Sequence, residues 1–206
     1  MIDDAALSLV TPDNAAQIAN SLCSDDVPML VERLNSPEDK IRYPAFLLLR
    51  AHASDSADLL PFWDELAGKL KSENSYQRSL GAMLLAANAR HDSAGRMRKT
   101  LPHYLALLND PKPITVRQCA QALPEILSAQ PELAGEIAST ILAVDLLGFK
   151  DTMRKLILVD FLDALVLIRK IAPSEALEQY FFSTLSGSIL DEKAKKQLRT
   201  RLNLPK

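Results

Sequence analysis

Apolar residues recur at three- and four-residue intervals along most of this chain, in segments of 10–20 residues separated by short polar breaks. That period places apolar side chains on one face of an α-helix. Alternating runs of β-branched residues and Asn-Gly or Asp-Gly turns, which indicate strands and hairpins, are almost absent. The pattern therefore predicts an all-α protein of ten or eleven helices.

The polar breaks carry Ser, Asp or Asn, whose side-chain oxygens can cap a following helix. They lie at residues 35–37, 72–74, 91–93, 109–111 and 128–131. The most apolar run, Leu156–Ile168, is interrupted by Asp160 and Asp163. This run spans too few residues to cross a bilayer, so it is predicted to be a buried helix.

Several segments of the chain share one layout. An apolar residue and a proline, such as Pro28, Pro61 or Pro102, open a first helix. A polar corner follows, and a residue pair ending in Arg then starts a second, more apolar helix. The repeated arginines are Arg42, Arg78, Arg117 and Arg154, at intervals of 36, 39 and 37 residues. A steady period of this length indicates repeated helix pairs.

The segment 101–127, LPHYLALLNDPKPITVRQCAQALPEIL, resembles the HEAT-repeat (armadillo-like) family of α-solenoids. In that family the corner carries an Asp, here Asp110, and the second helix begins with Val-Arg, here Val116 and Arg117. Elsewhere Ser36 and Ser72 replace the corner Asp, and Gln77 replaces the apolar residue before Arg. The resemblance covers about residues 25–170. It implies a right-handed α-solenoid (an α-α superhelix) of about five HEAT-like helix pairs whose second helices line a concave face.

We therefore predict a single HEAT-like repeat domain over residues 1–206, in which stacked helix pairs bury one continuous core. Polar helices around 13–21 and 191–202 would cover its two ends. The predicted parts are an N-terminal cap at 1–24, helix-pair repeats at 25–55, 56–91, 93–129 and 131–171, and a C-terminal repeat or cap at 173–206.

The repeated arginines have two interpretations. Four guanidinium groups at repeat spacing could line a face that binds acidic peptides or phosphates. The family resemblance implies instead a structural role, in which each Arg hydrogen-bonds the corner oxygens of its own or the adjacent repeat. We favour the structural role for Arg42, Arg78, Arg117 and Arg154. Trp63 and Tyr104 likewise fit core packing better than the alternative of an exposed binding anchor.

Charge and composition narrow the possible functions. The chain has 24 Lys and Arg against 26 Asp and Glu, a net charge of −2, which is not the electrostatic footprint of a nucleic-acid-binding protein. Arg90, His91, Arg96, Arg98 and Lys99 form a basic cluster, yet no aromatic residue lies between them to stack bases. We expect neither a nucleic-acid nor a membrane partner.

Catalytic and cofactor motifs are missing from the sequence. The chain has six glycines and no phosphate-binding loop, and His52, His91 and His103 lack metal-binding spacing. We expect no catalytic residue, cofactor or metal. The alternative function is a HEAT-like DNA-binding protein or a DNA glycosylase of the alkylation-repair type, whose size and helix-pair architecture are similar. Those enzymes look basic and rich in Trp and Tyr, whereas this chain has one Trp and four Tyr.

Two cysteines, Cys23 and Cys119, lie far apart without CxxC or His neighbours. We expect two buried free thiols in a reducing compartment rather than a disulfide or a zinc site. The first ten residues lack the basic start and apolar core of a signal peptide. Both observations favour a cytoplasmic protein.

A binding surface can be projected from the repeat register. Positions one, four and eight residues past each repeated Arg share one helical stripe, and a groove there could accept a helix or an extended peptide. An ordinary solvated and partly packed helix face is the alternative. The predicted protein-binding residues are Tyr43, Phe46, Arg50, Ser79, Gln118, Gln121, Glu125 and Lys155. The predicted function is a non-catalytic scaffold or adaptor that binds another protein or peptide through the concave face.

Overall fold

The computed structural model describes residues 4–204, and over these residues the regular secondary structure is entirely helical. The predicted all-α class is confirmed. Twelve α-helices lie in the described part of the chain, joined in places by single 3-10 turns. They are α1 (Asp4–Leu7), α2 (Ala15–Ala19), α3 (Val27–Arg33), α4 (Asp39–His52), α5 (Trp63–Lys69), α6 (Ser75–Asn88), α7 (Arg96–Ala106), α8 (Pro113–Ala129), α9 (Ala134–Leu142), α10 (Asp151–Ile171), α11 (Glu175–Ser186) and α12 (Glu192–Arg201).

Two α-helices fall within each segment that the sequence analysis treats as a helix pair, from α3 and α4 in 25–55 to α11 and α12 in 173–206. The count exceeds ten or eleven because α1 and α2 are short helices of four and five residues. The predicted end segments also include residues 1–3 and 205–206, which lie outside the described residues.

The chain divides into two compact units, with the boundary between Tyr104 and Leu105, inside α7. We call the unit before this boundary the N-terminal unit and the other the C-terminal unit. The sequence pattern predicts one repeat domain and carries no signal for this boundary. Each unit has its own buried apolar residues, so each is described by itself.

In the N-terminal unit α1, α2 and α3 pack against α4, α5 packs against α6, and α4 also contacts α6. Trp63 is 1% exposed and donates its indole N–H to Thr100 Oγ1 at 3.0 Å. Tyr104 is also buried, so core packing is the observed arrangement for both aromatic residues. Helices α5 and α6 approach closely at Gly81, where an added Cβ would lie 2.8 Å from the carbonyl oxygen of Leu66.

In the C-terminal unit α10 packs against α8 and α9, and α11 contacts α9. Helix α10 contains the predicted buried run, and Phe161 is fully buried within it. Phe181 of α11 is buried too. The unit is therefore organised around α10.

Local sequence signals explain where several helices begin. Asn74 caps α6 by accepting the N–H of Tyr76 at 2.9 Å, as expected for a polar break. Pro113 is the first residue of α8, where a missing N–H has little consequence. The prediction that Pro102 opens a helix is wrong, because α7 already begins at Arg96. Asp92 accepts the N–H of Met97 at 2.7 Å and thereby starts that helix earlier.

The prediction of two buried thiols is correct only for Cys119. Cys23 is exposed, because it lies in the turn before α3, where its backbone N–H and its thiol both face Asp26 Oδ2, at 3.0 and 3.1 Å. Among the described residues, no helix has the length and apolar character needed to span a membrane.

Candidate functional site

Two of the repeated arginines hold corners in the N-terminal unit. Arg42 donates to the carbonyl oxygen of Ser36 at 3.0 Å, and Arg78 donates to those of Ser72 and Glu73 at 2.7 and 3.0 Å. Each corner leaves carbonyl groups without helical partners, so the guanidinium satisfies acceptors that water would otherwise have to reach. These contacts are of the kind that the resemblance implies.

Arg154 makes the equivalent contacts in the C-terminal unit. Its Nε donates to the carbonyl oxygen of Phe149 at 2.9 Å and its Nη2 to that of Leu147 at 2.7 Å. Its Nη1 also pairs with Asp151, whose side chain is 86% exposed. Arg154 therefore fixes the turn that precedes α10.

Arg117 has a different partner from the other three. Its Nε donates to Asp160 Oδ2 at 2.6 Å and its Nη2 lies 3.4 Å from Asp160 Oδ1. Gln121 Nε2 donates to the same Oδ1 at 2.9 Å. The side chain of Asp160 is only 6% exposed, so α8 and α10 are joined by a buried charge pair. We call Arg117, Gln121 and Asp160 the ionic joint.

Further charged pairs connect α10 to α12. Lys155 pairs with Asp191 at 2.5 Å, and Arg201 pairs with Asp163 at 2.5 Å. Arg169 of α10 also donates to the carbonyl oxygen of Leu202, at 2.9 Å. The second helices of successive predicted pairs, α8, α10 and α12, are thus linked in sequence within the C-terminal unit.

The N-terminal unit has a counterpart to the ionic joint in which the cation is held by neutral groups. Lys69 Nζ donates to Asn35 Oδ1 at 2.5 Å and to Gln77 Oε1 at 2.9 Å, and Gln77 Nε2 donates to the carbonyl oxygen of Leu34 at 2.6 Å. Burial lowers the pKa of the Lys69 ammonium, against the opposing influence of Glu65. We call Asn35, Lys69 and Gln77 the amide joint. It explains why Gln77 stands where the repeat pattern expects an apolar residue.

Three residues of the basic cluster contact backbone carbonyl oxygens within the N-terminal unit. Arg90 donates to the carbonyl oxygen of Ser54 at 2.8 Å, and Arg96 donates to that of Leu60 at 2.9 Å. His91 Nε2 lies 2.9 Å from the carbonyl oxygen of Ala53. All three contacts are made to the segment between α4 and α5. Each donor or contacting side chain belongs to the predicted repeat that follows the repeat of its partner.

The long-range side-chain hydrogen bonds described above share one property. They connect residues that are 33 to 43 positions apart in the sequence, from Arg169–Leu202 to Arg117–Asp160 and Gln77–Leu34. The repeated arginines lie at intervals of 36 to 39 residues. Each bond therefore joins a segment that is predicted to be one helix pair to the segment that is predicted to be the next.

The predicted binding stripe is only partly exposed. Tyr43 is 42% exposed and Gln121 is exposed, whereas Arg50, Gln118, Glu125 and Lys155 are half-buried. The structure corrects the prediction for Phe46 and Ser79. These two side chains are buried, at 5% and 4% exposure, and therefore do not belong to an exposed binding surface. They lie on α4 and α6, which contact each other.

The sequence analysis does not predict the contacts that Asp160 makes with Arg117 and Gln121. An acid inside an apolar run that is predicted to be buried needs a cationic partner. The sequence therefore carried a signal in Asp160, and the repeated arginines supplied the candidates. Helical spacing alone could not show that Arg117 reaches it across 43 residues.

The histidines have structural partners where contacts are described. His52 Nε2 lies 3.1 Å from Asp58 Oδ2, and this contact lowers the pKa of the Asp58 carboxyl. Within residues 4–204, no group of three His, Cys, Asp or Glu side chains is arranged to hold a metal ion.

Comparison with models of known protein families finds no match to this chain. Comparison with curated proteins finds no match either.

Proposed function

We propose that this chain is a non-catalytic protein-binding scaffold or adaptor of the cytoplasm, built as a right-handed HEAT-like α-solenoid of about five helix pairs. The observation that carries this proposal is the spacing of the long-range hydrogen bonds, which join each helix pair to the next. Stacking of neighbouring units is how repeat proteins build an extended surface for partners.

The proposed binding face is that of the second helices. In the C-terminal unit it presents Gln118, Gln121 and Glu125 of α8, and in the N-terminal unit it presents Tyr43 of α4. An exposed Tyr offers apolar contact area and side-chain amides offer hydrogen-bonding groups, and both kinds of group suit contact with a peptide or a helix of another protein.

The binding proposal is tested by affinity capture from native cell extract followed by mass spectrometry. The bait is compared with a Tyr43→Ser/Gln118→Ala variant and with Phe182→Ser as the control, since Phe182 is 74% exposed on α11, off the predicted stripe. We expect proteins captured by the original chain and the control to be lost with the stripe variant. Equal capture by all three, or excision of alkylated bases by the purified chain, would contradict the proposal.

The architecture is tested separately by small-angle X-ray scattering. A compact globular domain of this length has a radius of gyration of about 17 Å. An elongated solenoid has a larger radius of gyration than this. A measured radius at or below about 17 Å would therefore contradict the solenoid architecture, although the protein would still be all-α.

A further inference from the structure

Charges of opposite sign are concentrated in two stretches of the sequence. Residues 1–40 contain eight Asp and Glu against two Lys and Arg, a net charge of −6. Residues 191–206 contain six Lys and Arg against two Asp and Glu, a net charge of +4. Residues 41–190 hold 16 of each kind, so the charge imbalance is confined to these two stretches.

The basic excess lies on the exposed side of α12. Leu198 of this helix is buried, whereas Lys193, Lys196 and Arg199 are exposed. These three positions recur at three-residue intervals, so they form one row along the helix surface. We call Lys193, Lys196 and Arg199 the basic row.

The acids of the C-terminal unit do not neutralise this row. Lys193 acts on the carboxyl of Asp191, but Lys155 already pairs with that group. The side chains of Lys196 and Arg199 have no hydrogen-bonded or ion-paired partner within residues 4–204. Three further acids at or near α10, α11 and α12 have basic partners of their own, in the pairs Glu192–Lys195, Asp163–Arg201 and Glu178–Arg169.

Part of the acidic excess of the N-terminal unit is uncompensated in the same way. Asp25 lies two residues before α3 begins, and Glu32 lies in the last turn of that helix. Both side chains are exposed, and neither has a partner in the described part of the chain. The cations that follow α3 in the sequence are already paired, as Lys40–Glu38 and Arg42–Asp39. We call Asp25 and Glu32 the acidic row.

The two rows have similar lengths and opposite charges. At the rise of a helix, the seven residues from Asp25 to Glu32 span about 10 Å and the six from Lys193 to Arg199 about 9 Å. Surfaces of complementary charge steer each other into contact and reject partners of like charge. Every copy of this chain therefore carries an electrostatic complement to the basic row of another copy.

We propose that copies of this chain associate with one another, the basic row of one copy lying against the acidic row of the next. A contact between two different surfaces leaves one row free on each outer copy, so further copies can add until a ring closes or a chain grows. Exposed ion pairs each contribute little and are screened by salt, so the association is weak and salt-sensitive. This interaction is additional to the second-helix face and does not depend on the proposed scaffold function.

The test is sedimentation velocity of the whole chain in about 20 mM and about 500 mM sodium chloride. In low salt we expect the sedimentation coefficient to rise with protein concentration. In high salt the dissociation constant should increase at least about tenfold, because salt screens exposed charges.

Two charge-reversed variants locate the contact. Lys196→Glu/Arg199→Glu and Asp25→Lys/Glu32→Lys should each stay monomeric in low salt, because like charges then face each other. An equimolar mixture of the two should associate again, since each variant keeps the row that the other has lost. Far-ultraviolet circular dichroism checks that both are folded.

The matched control is Lys112→Glu/Lys170→Glu. It reverses two other exposed lysines of the C-terminal unit and changes the net charge by the same amount as Lys196→Glu/Arg199→Glu. We expect the control to associate like the original chain. Equal loss of association in the control would show that net charge, and not the basic row, governs the contact, and the proposal would fail.

Three further results would overturn the proposal. They are a monomeric chain in low salt up to about 1 mM protein, undiminished association of either row variant, and a mixture of the two row variants that stays monomeric. Vesicles containing phosphatidylserine provide a separate comparison. If they bind the monomeric original chain and not Lys196→Glu/Arg199→Glu, a membrane surface covers the basic row instead of a second copy.

Discussion

The amide joint of the N-terminal unit and the ionic joint of the C-terminal unit connect neighbouring helix pairs by different chemistry. In the first, Lys69 is held by the neutral oxygens of Asn35 and Gln77. In the second, Arg117 and Gln121 converge on the carboxylate of Asp160. Both joints are partly closed to water, yet only the second contains a carboxylate that needs a particular cation.

The difference shows that contacts of similar sequence separation can be made by different residues. Asp160 without Arg117 is a buried, uncompensated charge, and such a loss is strongly destabilising. Lys69 has neutral partners, so its loss leaves two amide oxygens and no orphaned charge. The two joints therefore differ in how much each depends on a single side chain.

The largest expected effect comes from breaking the ionic joint. Arg117→Met should lower the free energy of unfolding by about 3 kcal/mol, because it leaves the buried carboxyl group of Asp160 without its cationic partner. The double variant Arg117→Met/Asp160→Leu should recover most of that loss. Urea unfolding of both gives the comparison. The control is Arg201→Met, whose partner Asp163 is 46% exposed, and its effect should stay below about 1 kcal/mol.

A loss for Arg117→Met no greater than that for Arg201→Met would show that the ionic joint does not depend on the buried charge. The explanation based on an orphaned carboxylate would then fail.

The next effect tests the helix approach that positions the amide joint. Gly81→Ala should destabilise by about 2 kcal/mol, since its Cβ would meet the Leu66 carbonyl and the Lys69 Cβ at 2.8 and 2.9 Å. Gly68→Ala, where no atom lies within 4 Å, should stabilise α5 by about 0.5–1 kcal/mol. Thermal melting of both proteins checks the prediction. Melting temperatures that shift in the same direction would contradict the close approach.

A smaller effect is expected at a corner of the C-terminal unit. Arg154 occupies the same repeat position as Arg117 but binds the carbonyl groups of Leu147 and Phe149. Water can replace the arginine at an exposed corner, so Arg154→Met should lower the free energy of unfolding by about 1 kcal/mol. Denaturant titration of Arg154→Met and Arg117→Met measures the two losses in the free energy of unfolding, which can then be compared. A loss equal to that of Arg117→Met would mean that the carboxylate partner of Arg117 adds nothing beyond what a corner contact contributes.

The smallest effect at neutral pH is expected for the amide joint itself. Lys69→Met should change the free energy of unfolding by less than about 1 kcal/mol at pH 7, because a desolvated cation is exchanged for apolar packing. The pKa of Lys69 is lowered from 10.5 in the folded state, so between these two pKa values the unfolded state binds more protons. Stability of the original chain relative to Lys69→Met should therefore rise with pH in that window.

Melting temperatures of both proteins at pH 7 and pH 10 check this direction. A relative stability of the original chain that falls over this interval would show that the ammonium of Lys69 is favoured by folding, contrary to its burial.

Much of the helical organisation could be predicted from the sequence because the apolar period is local. The buried helix α10 and the two helices in each segment follow from it. Features that depend on a distant contact could not be predicted. The position of Pro102 inside α7 depends on the Asp92 cap, and the side-chain partner of Arg117 lies 43 residues away.

The binding stripe was harder to predict for a geometric reason. One residue of error in register turns a helical stripe by about 100°. Phe46 and Ser79, the stripe positions that prove buried, lie on α4 and α6, two helices that contact each other. Only the structure distinguishes the exposed positions, Tyr43 and Gln121, from these two buried positions.

The described long-range hydrogen bonds have a consequence for how the protein is made, because none of them spans more than 43 residues. Arg90, Arg96 and Gln77 bind backbone groups that precede them by 36, 36 and 43 residues. Each such contact can form once synthesis has added the following pair, without waiting for the end of the chain.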